Sequence, residues 1–343
     1  LLDLQQRFGS LPLQAIVEPA LEFARNGIQI SDELSGIFQI LEPILTLTEA
    51  SKQQFAPKGQ LLQAGETFKA PGLVNVFEQF AKNDVRPIME LFQKEFSGPD
   101  GLITTEDLVD LSPEEKNPVH VQTGPFDIYL SPPPASGGLL VGFGLKLLEQ
   151  VPSSIWQDST QKALAMVAAM ATTQLVRTST LDPLLHARRH ESQTELENFL
   201  SETEMKKWHG VFHEALESND PLVLPPENQL GSTTHISTID AQGLGCSITS
   251  SNGEGCGYLV PETSAMANNF MGEEDLHPNG FHKMPAGSKL TSMMCPTAVR
   301  DADGLKLMLG TGGSNRIRTA LLQVLGNHLF GNQPLEEAVM APR

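Results

Sequence analysis

The residues Ser232-Thr233-Thr234-His235 stand where a Pro-rich loop, LVLPPENQLGS, gives way to a run of strands, and this junction is the part of the sequence best suited to covalent chemistry. A cut before Thr233 would leave a threonine whose hydroxyl is a nucleophile and whose own α-amine is a base. Because the pKa of a free α-amine is about 7.7–8.0, part of it is neutral at pH 7 and can accept the hydroxyl proton. A Thr-Thr pair by itself is also typical of an ordinary strand.

The glycine-rich stretch from Gly310 to Arg316, GTGGSNR, is a second candidate because it directly precedes a helical pattern. Glycines allow a close approach of the backbone, and N–H groups beside a helix N-terminus favour an anion, so the stretch is predicted to stabilise an oxyanion. Two alternatives stay open: a simple strand-to-helix turn, and a phosphate loop of a nucleotide-binding protein. The stretch has neither the Lys-Ser/Thr of a P-loop nor the glycine spacing of a dinucleotide fingerprint.

The elements that must position these residues change in character along the chain. Apolar residues at helical spacing predict helices through residues 1–110, with Ser31 as an N-cap. HVQTGPFDIYL is predicted as a strand, SPPPASGG as neither helix nor strand, and LLVGFGLKLLEQV and residues 159–176 as helices. Residues 186–220 are charged and predict surface helices or loops. Residues 233–309 are predicted mainly as strand, followed by a helix, and this order indicates sheets covered by helices.

Two hairpins are predicted within the strand-rich part. Thr233–Asp240 and Leu244–Ser250 should be adjacent antiparallel strands joined by an Ala-Gln-Gly turn. TAVRD and LKLML should pair around Ala302-Asp303-Gly304. The first hairpin would place the Thr233 junction at the end of a regular sheet.

Composition limits the kinds of partner. The 343 residues include 41 acidic and 23 basic ones, a formal net charge of -18, which argues against nucleic acid as a partner. No transmembrane run or signal peptide is evident, and the compartment is not indicated. The three cysteines have no metal-ligand spacing, so neither a metal nor a cofactor is predicted. Buried free thiols are the favoured interpretation, with Cys246 facing Cys256 across neighbouring strands as the alternative.

Eight ordered motifs carry a resemblance to a known family over nearly the whole chain. They are RFGSLPLQAIVEPALEFARNGIQIS, GPDGLITTEDL, SPPPASGG, TTHISTID, NNFM, SMMCPT, LGTGGSNRI and EEAVMAPR. On these residues the chain resembles the γ-glutamyltransferase (γ-glutamyl transpeptidase) family of N-terminal-nucleophile hydrolases. The resemblance implies an α+β fold, a four-layer αββα sandwich.

The resemblance also implies a precursor that cuts itself between Ser232 and Thr233. Residues 1–232 would then be the large-subunit part, mostly helical, and residues 233–343 the small-subunit part, mostly strands, of one precursor. The implied activity is transfer of a γ-glutamyl group from glutathione-like small molecules to water or amines, and the family is often periplasmic or extracellular. The family has a further N-terminal stretch, with an arginine that binds the substrate carboxylate, and a further C-terminal stretch, which these 343 residues do not include.

Matching motif by motif assigns the catalytic roles. Thr233 falls at the nucleophile and Ser251 at a second hydroxyl that holds the catalytic groups. The oxyanion donors are Gly312 and Gly313 if matched by residue type, or Gly313 and Ser314 if matched by length. A serine would serve there with a negative φ, because a backbone N–H needs no particular side chain.

The substrate-binding positions match Asn252, Glu273, Ser292 and Ser314, and here the chain departs from the family. Phe270 and Met293 stand where the family has polar side chains. Since a site built on hydrogen bonds to an amino-acid head discriminates through those bonds, weak turnover of γ-glutamyl donors is expected, with preference for a less polar or differently charged head. The open alternatives are an acylase acting on another amide and an inactive relative that serves as a binding scaffold.

Overall fold

The computed structural model describes residues 1–97, 103–109, 112–186, 193–218, 232–277, 279–285, 287–314 and 316–342. The chain divides into two compact units, Leu1–Glu115 with Glu254–Asn269, and Lys116–Gly253 with Phe270–Arg343. This division by packing differs from the predicted division at residue 232, which concerns a cleavage and stays a prediction. Of the predicted loop LVLPPENQLGS before Thr233, residues 222–231 lie outside the described residues.

The secondary structure is mixed. The helices are α1 (Leu2–Phe8), α2 (Leu13–Asn26), α3 (Asp32–Ile40), α4 (Glu42–Leu45), α5 (Glu49–Phe55), α6 (Gly72–Ala81), α7 (Arg86–Phe96), α8 (Thr105–Val109), α9 (Ser136–Leu148), α10 (Ser159–Val176), α11 (Asp182–His186), α12 (Gln193–Glu197), α13 (Glu202–Glu217), α14 (Arg316–Leu329) and α15 (Leu335–Met340). The strands are β1 (Ile28–Gln29), β2 (Thr67–Phe68), β3 (Val119–Thr123), β4 (Phe126–Leu130), β5 (Ser232–Ile239), β6 (Gly245–Gly253), β7 (Leu259–Val260), β8 (Ala265–Met266), β9 (Thr297–Asp301) and β10 (Gly304–Leu309).

The first unit is largely helical, as its periodicity predicts. The Ser31 side chain accepts a hydrogen bond of 3.2 Å from the Leu34 N–H, which confirms the predicted N-cap of α3. The rings of Phe38, Phe55 and Phe68 form an aromatic cluster with centroid separations of 5.3–6.0 Å. Phe68 belongs to a short antiparallel β1–β2 pair that the helical pattern did not predict. No helix within the described ranges is long and apolar enough to cross a membrane.

The second unit is built on a four-stranded antiparallel sheet with the order β10-β9-β4-β3. HVQTGPFDIYL, predicted as one strand, is a hairpin of β3 and β4, because the chain turns at Gly124 with φ +52°. The almost fully buried helix α9 lies on this sheet. A Cβ placed on its Gly142 would come within 2.9 Å of Val121 and 3.3 Å of Leu130, so the glycine permits close packing of helix on sheet.

The motif SPPPASGG was predicted as neither helix nor strand, and for its last three residues this was wrong, because α9 begins at Ser136. A Cβ on Gly137 would overlap the carbonyl oxygen of Met293, and one on Gly138 would overlap that of Ser131. These glycines therefore allow the N-terminus of α9 to pack closely against neighbouring backbone, and they do not break the helix. The helix predicted over residues 159–176 is confirmed as α10.

The β5–β6 hairpin confirms the predicted pairing, with Thr233 opposite Ser251 and Ile239 opposite Gly245. The Asp240 carboxylate closes the turn by accepting hydrogen bonds of 2.9 and 2.8 Å from the backbone N–H groups of Gln242 and Leu244. A Cβ on Gly245 would meet the side chains of Leu305 and Met308 on β10, so the hairpin packs on the second unit's sheet region. The β9–β10 hairpin is confirmed as well.

Between β6 and β9 the prediction of mainly strand was wrong. The described residues of this segment form only the two-residue strands β7 and β8 and short 3-10 turns at Phe270–Gly272 and Glu274–Leu276. Glycines with positive φ, at Gly253, Gly255 and Gly257, interrupt the extended backbone.

Two further expectations need correction. The region 186–220 is not purely surface, because α13 buries Met205 and Phe212 in the core of the second unit. The three cysteines are free, but only Cys295 is buried; Cys256 is half-buried and Cys246 is exposed. Cys246 lies on the exposed side of β6. The alternation of side chains along the strand determines this side, and composition alone does not show it.

Candidate active site

Thr233 lies half-buried on β5, and its side chain reaches across to β6. Thr233 Oγ1 donates a hydrogen bond of 3.2 Å to Ser251 Oγ, which also accepts one of 3.2 Å from the Gly253 N–H. A register shift between Ser232 and Thr233 leaves Asn252 without an opposite residue, so the hairpin bulges beside Thr233. The sequence-predicted pair of hydroxyls is therefore brought into direct contact.

The glycine-rich loop packs directly on β5. A Cβ on Gly312 would overlap the carbonyl oxygen of Thr233 and lie 3.1 Å from Thr233 Cβ, and one on Gly310 would overlap the His235 ring. Gly313 has φ +121°, a backbone conformation that only glycine adopts without strain. The predicted neighbourhood of this loop and Thr233 is confirmed, while the roles of its N–H groups stay predictions.

Ser314 has a left-handed backbone with φ +50°, not the negative φ that was the condition for a serine among the oxyanion donors. The loop then turns into α14, since Arg316 N–H donates to Gly313 O at 3.0 Å and Ile317 N–H to Ser314 O at 3.1 Å. Asn315 lies outside the described residues. The left-handed serine thus sits at the junction between the loop and α14.

His235 is a part of the site that the sequence reasoning missed. Its Nδ1 lies 2.8 Å from Thr249 Oγ1 and its Nε2 2.7 Å from Ser237 Oγ, so both ring nitrogens are engaged by hydroxyls. Burial lowers the pKa of His235, which favours the neutral ring. Strand alternation could have indicated this from the sequence, because it places His235 and Ser237 on the same side of β5 as Thr233. The ring supports the strand and the loop at Gly310.

A cavity of about 190 Å³ opens beside Thr233, entirely within the second unit. Of the predicted site residues, those on its wall are Thr233, Ser251, Glu273, Ser292 and Ser314. Its apolar wall is formed by Phe270, Leu276, Leu290, Met293, Met294 and Ile317. Asn252 is exposed and is not on this wall, because it follows Ser251 on a strand and alternate side chains point to opposite faces.

The segment Ser292–Met294, which forms one side of the cavity, is tied to the start of α9. The Ser292 carbonyl accepts hydrogen bonds from the Ser136 N–H at 2.8 Å and the Ser136 hydroxyl at 3.1 Å, and the same hydroxyl lies 3.1 Å from Met293 Sδ. The Met294 carbonyl accepts from Ser131 Oγ at 2.8 Å. The serines of SPPPASGG were missed as site residues, and they fix this wall.

No group of three or more His, Cys, Asp or Glu side chains in the described part of the chain is arranged to hold a metal ion. The described residues on the cavity wall offer hydroxyls, backbone amides and one carboxylate, that of Glu273.

The chain is similar to known proteins along nearly its full length. A sequence profile described as Gamma-glutamyltranspeptidase matches residues 1–343. The Glutathione hydrolase proenzyme of Escherichia coli (strain K12) is 25% identical over 377 residues, covering 98% of this chain and 61% of that protein. The Glutathione hydrolase proenzyme of Arthroderma benhamiae is 26% identical over 367 residues, covering 99% and 62%. The chain thus spans somewhat over 60% of these relatives.

Among solved structures, cephalosporin acylase from Bacillus halodurans superposes with a TM-score of 0.80 at 19% identity, covering 100% of this chain and 63% of that one. The chain accordingly has the α+β fold of that acylase, as predicted. The match along its full length shows that the chain belongs to the γ-glutamyltranspeptidase family.

Proposed function

We propose that this chain carries the acyl-transfer site of a self-processing amide hydrolase and acyltransferase, with Thr233 as nucleophile. The observation that supports this most directly is the Thr233 hydroxyl, which faces the cavity and contacts Ser251 Oγ at 3.2 Å. A nucleophile oriented by a second hydrogen-bonding group is the arrangement that covalent catalysis requires.

Processing would come first. Thr233 Oγ1 attacks the carbonyl carbon of Ser232, the Ser232–Thr233 amide bond breaks, and the Thr233 nitrogen takes a proton to become a free α-amine. Water then hydrolyses the resulting ester, which frees the Thr233 hydroxyl and leaves a carboxylate on Ser232. The free amine next serves as the base for the Thr233 hydroxyl.

Turnover would follow the same route on a small-molecule amide. The Thr233 hydroxyl attacks the substrate carbonyl, the amine leaves with a proton, and water or a second amine releases the acyl group from the ester. Backbone N–H groups of the loop at Gly312 and Gly313 are the proposed oxyanion donors. The loop lies against Thr233, and the family assigns this position to two glycines.

γ-Glutamyl compounds resembling glutathione are the first candidate donors, since the curated relatives are named glutathione hydrolases. Another amide is a second candidate, because Phe270 and Met293 make the cavity wall apolar. A phosphate-binding role for the GTGGSN loop and a non-catalytic scaffold are the competing proposals, and neither involves a cut before Thr233.

Mass measurement of the natural full-length protein tests the proposal. We expect two fragments, one beginning at Thr233, and a single intact chain for Thr233→Ala. Thr234→Ala is the matched control, because Thr234 is exposed on the opposite face of β5 and should not affect cleavage. A folded wild-type protein that stays whole, or a Thr233→Ala variant that still cuts, would refute the proposed function.

A further inference from the structure

A series of hydrogen bonds connects the β5–β6 hairpin to the start of the glycine-rich loop, Gly310–Ser314. From Nε2 of His235 the series runs to Ser237 Oγ at 2.7 Å, then to Ser247 Oγ at 3.1 Å, and it ends at the Leu309 carbonyl oxygen at 3.3 Å. Leu309 is the last residue of β10 and directly precedes the loop. The series therefore ends where the loop begins.

The donors and acceptors of this series can be ordered. A carbonyl oxygen only accepts, so Ser247 donates to it and accepts from Ser237, which in turn accepts from the Nε2–H of His235. The other ring nitrogen, Nδ1, is then an acceptor for the proton of Thr249 Oγ1 at 2.8 Å. All of these bonds are made together by the neutral Nε2–H tautomer, in agreement with the lowered pKa that burial gives His235.

A second anchor lies at the other end of the loop, where α14 begins. Arg318 is in the first turn of α14, is 6% exposed, and its Nη2 donates a hydrogen bond to Gln174 Oε1 on α10. The same turn is bound to the loop, because the Ile317 N–H donates to the Ser314 carbonyl at 3.1 Å. Arg318 therefore holds the end of the loop, through α14, against α10.

We propose that His235 and Arg318 are positioning residues for acyl transfer, each holding one end of the glycine-rich loop. His235 acts on the Leu309 carbonyl through two serines, and Arg318 acts on α14 through Gln174. The backbone N–H groups between these anchors then keep a constant position beside Thr233, and donors held in advance stabilise an oxyanion without reorganisation during the reaction. The inference rests on the proposed function, which takes the loop as oxyanion donor and Thr233 as acyl acceptor.

The experiment follows acylation of Thr233 by 4-nitrophenyl acetate in the natural full-length protein after processing. Thr233 Oγ1 attacks the ester carbonyl, its proton passes to the Thr233 α-amine, and 4-nitrophenolate leaves as a measurable burst. The burst amplitude counts the competent Thr233 residues, and the saturating rate constant reports stabilisation of the transition state. Because the ester is small and activated, the result does not depend on which amide the enzyme prefers.

Variants of the first anchor should change the rate constant and not the amplitude. His235→Leu is expected to lower the saturating rate constant about tenfold or more. His235→Gln should keep it within about threefold of wild type, because the amide N–H can still donate to Ser237. Ser247→Ala removes the donor to Leu309 and should lower it about fivefold or more, with the exposed Ser250→Ala on the same strand as matched control.

The second anchor is tested from its acceptor side. Gln174→Met removes the acceptor of Arg318 and should lower the saturating rate constant about fivefold or more. Gln174→Glu keeps an acceptor oxygen and should stay within about threefold of wild type. Gln161→Met is the matched control, because Gln161 is exposed on the same helix. A wild-type rate constant in correctly processed Ser247→Ala or Gln174→Met overturns the inference for that anchor, as does a loss of amplitude alone.

Two outcomes separate this inference from the proposed function. Release of 4-nitrophenolate that is no faster in processed wild type than in Thr233→Ala contradicts the proposed function and removes the basis of the inference. Acylation of Thr233 that is equally fast in wild type and in the anchor variants contradicts the inference alone. If Ser247→Ala stays uncut, thermal unfolding decides: a cooperative transition like that of Thr233→Ala supports the inference, because the fold is intact while acyl transfer is lost, and loss of that transition overturns it.

Discussion

Thr233 Oγ1 and Ser251 Oγ lie 3.2 Å apart across the β5–β6 hairpin, with the threonine as donor. Strand pairing sets this contact, since the two residues are direct register partners. The hydroxyl of Ser251 therefore orients the Thr233 side chain toward the cavity that both residues line.

Removing that contact should slow the chemical step. Ser251→Ala is expected to lower kcat by about two- to tenfold, as loss of one neutral hydrogen bond of about 0.5–1.5 kcal/mol implies. Ser250→Ala is the matched control, because Ser250 is exposed on the other face of the same strand. Steady-state kinetics of both variants would check this, and equal kcat values would contradict a role for Ser251.

Gly312 should tolerate no side chain. In Gly312→Ala the new methyl group would overlap the Thr233 carbonyl oxygen, so the loop must move away from Thr233. If an oxyanion donor is displaced, kcat falls by about 10²–10³-fold, and processing should slow as well.

The control for this change is Gly210→Ala in the middle of α13, where an added Cβ meets nothing within 4 Å. This variant should keep full activity and gain about 0.5–1 kcal/mol in the free energy of unfolding. An active, normally processed Gly312→Ala enzyme would show that the loop does not serve Thr233.

Ser136 should act through the cavity wall. Ser136→Ala removes the hydroxyl contacts with the Ser292 carbonyl and Met293 Sδ, while the backbone bond to Ser292 remains. We expect a loss of about 1 kcal/mol in unfolding free energy and a larger increase in KM than decrease in kcat. Urea unfolding and kinetics measure the two effects, with the exposed Ser179→Ala as control. A variant with wild-type KM would argue against a fixed wall.

His235 should make stability depend on pH. Its folded pKa is lowered by burial from an ordinary value of 6.5, so below about pH 6.5 the unfolded chain binds more protons than the folded one. Stability should accordingly fall as the pH drops through this value. Thermal midpoints between pH 5 and 8 should show a shallower slope for His235→Gln than for the wild-type protein. Identical slopes in the two proteins would contradict this assignment.

Local patterns predicted the regular elements of the second unit well. α10 appears at residues 159–176, and the β5–β6 and β9–β10 hairpins follow from turns with Asp and Gly. Missed elements have a physical cause: Gly124 divides an apparent strand, and glycines between β6 and β9 take up positive φ values that a binary pattern does not reveal.

The candidate site also has features that local sequence predicts and features that it does not. The contact between Thr233 and Ser251 follows from hairpin pairing, but the approach of Gly312 to Thr233 was expected only from the family resemblance. The bond between Ser136 and Met293 joins residues 157 positions apart, and no periodicity encodes such a partner. The exposed position of Asn252 depends on strand alternation at a bulge, which its motif alone did not disclose.

The register shift between Ser232 and Thr233 has a mechanical consequence for a cut at that bond. Among the described residues, the Ser232–Gly253 pair alone lies before the bond, and the seven pairs from Thr233–Ser251 to Ile239–Gly245 lie after it. Severing the bond would therefore free a chain end at the rim of the sheet and leave the rest of the ladder as it stands. The cut and uncut hairpins would share one architecture. The new α-amine of Thr233 would therefore already lie beside the Thr233 hydroxyl, with no refolding needed.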